Sequence, residues 1–268
     1  MSTLRRLAGE LYRRDPALAI AGWAYLVALL VIAIGAPFDS RTILGLNPWI
    51  KPAKFLISIA VFLWSTGWLM FHLPGPRWVK AVIRWGVILS MSVEIGCISM
   101  QSLRGVRSHY NFDTPFDATV FGLMGGFIAF NSALIGVLWL LFLIRRTTLP
   151  APYLWSIRLG LLLFLLASYQ GVLLVTHGSH AVGVPDGGPG LPFVNWSTEA
   201  GDLRIAHFLG LHAMQIVPLV GWWLSTRLRG RPAGRATLLV VVFAVLYGAV
   251  GLLLYVRAMA GLSLWPAA

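Results

Sequence analysis

The chain has 268 residues, 58% of them hydrophobic and only 11% charged, with a mean hydropathy of +0.78. No soluble domain of this size has a core large enough to hide that much apolar surface, so a water-soluble globular protein is excluded. The net charge of +12 would suit nucleic acid, but the arginines are spread over short segments with no binding fold; orientation in a bilayer and contact with lipid headgroups explain them, and no nucleic-acid partner is expected.

Continuous apolar runs of about 20 residues are what a helix needs to cross the hydrocarbon, and seven can be marked. Each run is unbroken rather than alternating, which favours helices over the strands of a barrel. The reading is a single polytopic all-α membrane domain over 1–268 with seven transmembrane helices. Arg5, Arg6, Arg13 and Arg14 precede the first span, 17–36. That span is too long for a signal peptide, and Pro37 follows Ala36 where cleavage would fall, so it reads as an uncleaved helix. The second span, 54–71, aligns Lys51, Lys54, Ser58 and Ser65 on one face. A short turn with Pro74 and Pro76 leads to the third span, 79–101, with a stripe of Ser90, Glu94, Cys97 and Gln101. The fourth, 116–144, carries Asp117 and Asn131, and the fifth, 154–177, carries Gln170 and His177.

Between 178 and 201 lies the longest loop, with the turn-forming run PDGGPGLP and then NWSTEAGD. Ser197, Thr198 and Asp202 are placed to cap the helix that follows. That sixth span, 203–223, aligns Arg204, His207, Leu211 and Gln215, with His212 about 70° round the same side and Pro218 as a source of bending. The seventh covers 238–259.

Sorting the charges by loop sets the expected topology. With the N-terminus cytoplasmic, 14 of the 21 basic residues fall on inner segments beside only two acids, Glu10 and Asp15. Seven spans then put the C-terminus outside, and the expected location is a bacterial inner (plasma) membrane. The longer loops face outward, which is where function is expected.

Polar faces should point into the bundle rather than at lipid. Measured from the outer helix ends at about 1.5 Å per residue, Lys54, Gln101, Asp117, His177 and His207 come near the rim, and Glu94, Gln170 and His212 about 10–14 Å deeper. Glu94 is the only acid well inside an apolar run, where a carboxyl is paired, protonated or ligating. A structural ion pair between helices would explain it as well. His109 and His180 lie in loops and read as solvated, and Lys51, Lys54, Arg104, Arg107 and Arg204 form a basic rim.

Two functions fit this pattern. The first is a metal- or haem-dependent membrane enzyme or redox protein, with Glu94, His207 and His212 catalytic and His177, His207, His212 and Glu94 as ligands. Lys54, Gln101, Arg104, Asp117, Gln170, Arg204 and Gln215 would then contact the substrate. The second is a transporter or receptor for a small anionic solute or lipid, with Glu94 coupling to protons. A complex subunit or assembly factor, with the polar stripes as helix glue, is a plainer third. The bilayer is a partner in every case, and self-association is compatible with all of them. Known motifs exclude several chemistries: there is no HExxH, no desaturase histidine set, and no late HxxxH of the ceramidase type. The seventh span has no lysine for a retinal Schiff base.

Overall fold

A computed structural model describes residues 3–265. Among them are eight α-helices: α1 (Thr3–Arg14), α2 (Pro16–Gly35, continued by a 3-10 turn at Ala36–Phe38), α3 (Ile50–Phe71), α4 (Arg77–Arg104), α5 (Pro115–Ile144), α6 (Ala151–His177), α7 (Leu203–Arg227) and α8 (Ala233–Met259). Seven of these, α2 to α8, are long and apolar enough to cross a membrane. The chain is an all-α multipass integral membrane protein.

α2 and α5 match the apolar runs within one residue, whereas α3, α7 and α8 begin or end a turn or more beyond them. α3 starts at Ile50, taking in Lys51 and Pro52, because proline is tolerated in a first turn where no intrahelical N–H partner exists. α1 was not foreseen. Its Leu4, Leu7, Ala8 and Leu11 repeat at helical spacing among four arginines, which made the segment read as charged rather than amphipathic.

The helices pack as two compact units, Met1–Leu134 and Ile135–Ala268, the division falling within α5. In the first unit, Asp15 ends α1 and caps α2: its Oδ1 accepts the Leu18 N–H at 3.2 Å, with Pro16 in the first turn. The same carboxylate, only 3% exposed, takes a forked pair of hydrogen bonds from Arg84 Nε at 2.8 Å each and an ion pair from Nη2 at 2.7 Å. One side chain thus ties α1, α2 and α4. Gly67 leaves room for Asp15 on α3, and Gly22 leaves room for Trp64, whose indole N–H donates to Ala19 O at 3.2 Å.

In the second unit, α6 and α7 close on each other through small residues. A Cβ at Gly160 would meet Ala213 O at 2.8 Å, one at Gly210 would meet Ala167 Cβ at 2.5 Å, and one at Gly221 would strike Ser156. Lipid gives no hydrophobic reward for burial, so backbone approach through small residues is what lets two membrane helices attract each other. α8 completes this unit, with Tyr247 donating its hydroxyl to Leu209 O at 2.6 Å. The long loop is ordered by a two-strand ladder, β1 (Ala181–Val182) paired with β2 (Gly201–Asp202). Asp202 then caps α7 as foreseen, accepting from Arg204 N at 2.9 Å, and Ser263 at the end of the chain donates to Thr198 O at 2.9 Å.

Candidate functional site

Three of the four residues of the polar stripe foreseen on α4 are buried, Ser90 and Gln101 wholly and Glu94 to 3% exposure, and Cys97 is partly buried. Ser90 satisfies its hydroxyl within the helix, donating to Gly86 O at 2.8 Å. Gln101 donates to Asp117 Oδ1 at 2.8 Å, and Arg104 and the Thr114 hydroxyl reach the same carboxylate. Thr114 also accepts the Asp117 N–H at 3.1 Å, so this cluster staples the end of α4 to the first turn of α5.

α4 ends where Gly105 takes a left-handed φ of 73°, a conformation that glycine adopts without steric cost. The chain therefore turns back over the helix it has just left. Asn111, almost fully buried, donates to Arg107 O at 2.9 Å and accepts from Asp113 N at 3.1 Å, while Tyr110 is held at φ 53°. A non-glycine residue in that region costs energy, and such strain is retained where surrounding contacts fix it. The result is that His109 points in rather than out.

His109 Nε2 lies 3.8 Å from Glu94 Oε1, and its Nδ1 lies 3.2 Å from the hydroxyl of Ser108, itself buried. The rings of Phe55, Tyr110 and Phe121 surround the imidazole at centroid distances of 6.1, 6.3 and 5.8 Å. The histidine side chain is 22% exposed. It is half-buried beside a carboxyl, not the solvated loop residue that its position suggested. The other oxygen of the carboxyl, Oε2, is buried with no hydrogen-bond partner. Leaving such an oxygen unpaired costs about 1–3 kcal/mol, and more when charged. Packing of Ile98 with Val120 and Met124, and the Gln101–Asp117 bond, set α4 and α5 antiparallel with Glu94 level with Gly125 and Gly126. Both glycines are exposed and a Cβ at either would meet nothing within 4 Å, whereas the carboxyl itself is enclosed.

No family model, no curated protein and no solved structure matches this chain. The site has to be read from its own chemistry.

Lys54 lies in the first turns of α3, and the remaining candidate residues are in the second unit. His207 Nδ1 donates to Ala167 O on α6 at 2.9 Å and lies against Gly171, at the end of the small-residue contact. His212 Nδ1 donates to Phe208 O one turn back at 2.8 Å, its ring 4.0 Å from that of Phe208. His177 Nε2 reaches Ala181 O at 3.3 Å. Each of these three imidazoles holds a backbone carbonyl. His180 is paired with Asp186 at 2.9 Å, and the N–H groups of His180 and Ala181 point at the same carboxylate. Burial alone would raise the Asp186 pKa, but these donors hold it well below the usual carboxylate range. Gln170 reaches Leu203 O at 3.5 Å, whereas Gln215 Oε1 is buried without a partner. Among the described residues, no three His, Cys, Asp or Glu side chains come together as a metal ion would need.

The arginines of the foreseen basic rim each have an acid of their own. Arg104 pairs with Asp117, Arg204 with Asp202 at 2.6 Å, and Arg107 with Asp113 at 3.7 Å. Positive charge on the rim is therefore largely matched within each unit.

Proposed function

We propose that this is a proton-coupled membrane protein, a transporter or receptor for a small solute, in which a proton moves between His109 and Glu94. The observation that carries this reading is a carboxyl buried in a span with one oxygen facing a half-exposed imidazole and the other unpartnered. Ionisable groups at such depth are costly, and proton relays are among the functions that retain them. Imidazole changes charge near neutral pH and can pass a proton from one nitrogen to the other, so the partly exposed His109, with the Ser108 hydroxyl at its Nδ1, links the surface to the buried carboxyl. A small shift of either side chain, or one water, closes the 3.8 Å separation to hydrogen-bond length. The positive-inside rule assigns this end of the bundle to the outer face of a plasma membrane.

The solute site is placed at the Glu94 carboxyl. The test is proton movement into dye-loaded proteoliposomes under an imposed pH gradient, with a panel of small organic acids, amines and amino acids outside. Solute-dependent proton flux, abolished in Glu94→Gln, supports the reading; no flux with any member, or an undiminished flux in the variant, refutes it. The metal- or haem-dependent enzyme is a separate proposal, drawing on His207 and His212. Its test is the visible spectrum and metal content of purified protein, and loss of either in His207→Ala or His212→Ala would favour it.

A further inference from the structure

Among the described residues α1 is the one α-helix not long and apolar enough to cross a membrane, and its surface is two-faced. Leu4, Leu7 and Leu11 share one side at helical spacing, while Arg5, Arg6 and Arg13 lie on the other. Leu11 is buried, packing α1 against α2 and α3, and the guanidinium of Arg14 stacks 3.5 Å over Trp68 and 4.8 Å over Phe71 at the end of α3. Arg14 also donates to His72 Nε2 at 2.9 Å. The C-terminal turn of α1 is thus clamped to the end of a membrane span. Toward the N-terminus the same apolar side continues past these contacts, and there Leu4 and Leu7 are 74% and 47% exposed. An apolar stripe covered at one end by the bundle and uncovered at the other is what a helix at the boundary of headgroups and acyl chains presents. The charge of the helix is four arginines against one acid, Glu10, and Arg77 stands exposed at the start of α4, the helix whose Arg84 holds Asp15.

We infer that α1 is an in-plane interfacial helix that docks on a leaflet rich in anionic phospholipid, its leucines in the acyl boundary and Arg5, Arg6 and Arg13 among the headgroups. The combination of an apolar face, an arginine-rich opposite face and an anchored end is what such helices use, and the charge complements acidic lipid rather than a zwitterionic surface. The docking is independent of the Glu94 reading, since it rests on residues of α1 and the ends of α3 and α4.

The test uses the full-length protein, with Cys97→Ala to remove its single thiol, reconstituted in vesicles of phosphatidylcholine with or without phosphatidylglycerol. An environment-sensitive fluorophore is placed in turn at Leu4→Cys, Leu7→Cys, Gly9→Cys and Arg13→Cys. In acidic vesicles, labels at 4 and 7 should be quenched by nitroxide-bearing lipid and shielded from iodide, and labels at 9 and 13 the reverse. Neutralising Arg5 or Arg6 to Gln should lower the ratio of lipid-buried to water-exposed label at position 7 about fivefold each. Labels at all four positions equally open to iodide, or equal burial at positions 4 and 7 in vesicles lacking acidic lipid, would overturn the inference. Using four positions guards against a single substitution that unfolds the helix, because the periodic pattern, not one value, is the readout.

Discussion

Asp15→Ala removes two roles at once, and its cost can be worked from the geometry. The first is the cap of α2, where replacing aspartate by alanine costs about 1 kcal/mol. The second is the forked ion pair with Arg84, seated on a carboxylate that is 3% exposed. Breaking a fully buried pair by removing one partner costs about 3–5 kcal/mol. The Arg84 side chain is 26% exposed and recovers some solvation, so about 2–3 kcal/mol is the better figure here. The sum is about 3–4 kcal/mol, enough to lower the unfolding midpoint by roughly 10 °C in a chain of this length. Asp15→Asn keeps an acceptor for Leu18 N and should lose only the ion-pair part. Adding Arg84→Met to Asp15→Asn should restore much of the loss, since no unpaired charge is then left behind. Thermal unfolding in detergent, followed through the tryptophans, measures all four proteins. A midpoint for Asp15→Ala indistinguishable from wild type would refute the assignment of Asp15 as the residue that joins α1, α2 and α4.

Two glycines should answer the same substitution with opposite signs. Gly160→Ala drives a Cβ to 2.8 Å from Ala213 O and should destabilise by about 1–3 kcal/mol, whereas Gly96→Ala meets nothing within 4 Å and should stabilise by about 0.5–1 kcal/mol in the same unfolding assay. His72 accepts from Arg14, and burial together with that guanidinium lowers its pKa to about 4, with Glu10 opposing. Its folded value lies below its unfolded one, so the unfolded chain binds the proton first: stability should be full above about pH 6.5 and fall between there and about pH 4. His72→Asn should flatten that part of the curve. Asp186 is held low by His180 and two backbone N–H groups, so its contribution is present at neutral pH and is lost only in strong acid. Asp186→Ala should therefore open the 178–202 loop to limited proteolysis at pH 7 while leaving the helical content unchanged.

The spans were legible because seven long apolar runs have no other use, and the α4 stripe was legible because a carboxyl in such a run must face protein. The cap at Asp202 was legible for the same local reason. What escaped was set by the chain turning back on itself. His109 is five residues past the end of α4, and nothing in its loop position reveals that a left-handed Gly105, a buried Asn111 and a strained Tyr110 return it to Glu94. The aromatic run from Tyr110 to Phe121 was the available signal, since so many rings in a supposedly solvated loop imply burial. From the sequence Arg204 could pair with Asp202, Glu199 or Asp117; it takes Asp202, and Asp117 goes to Arg104. α1 escaped because a search for long apolar runs passes over a helix that is apolar on one side only.

The most direct test is infrared difference spectroscopy of the reconstituted protein, titrated across neutral pH in wild type, Glu94→Gln and His109→Gln. A carboxyl C=O band that titrates in wild type, vanishes in Glu94→Gln and shifts its midpoint in His109→Gln is the result expected if these two side chains share a proton. Absence of any band that depends on Glu94, or a Glu94 band whose midpoint ignores His109, would contradict it.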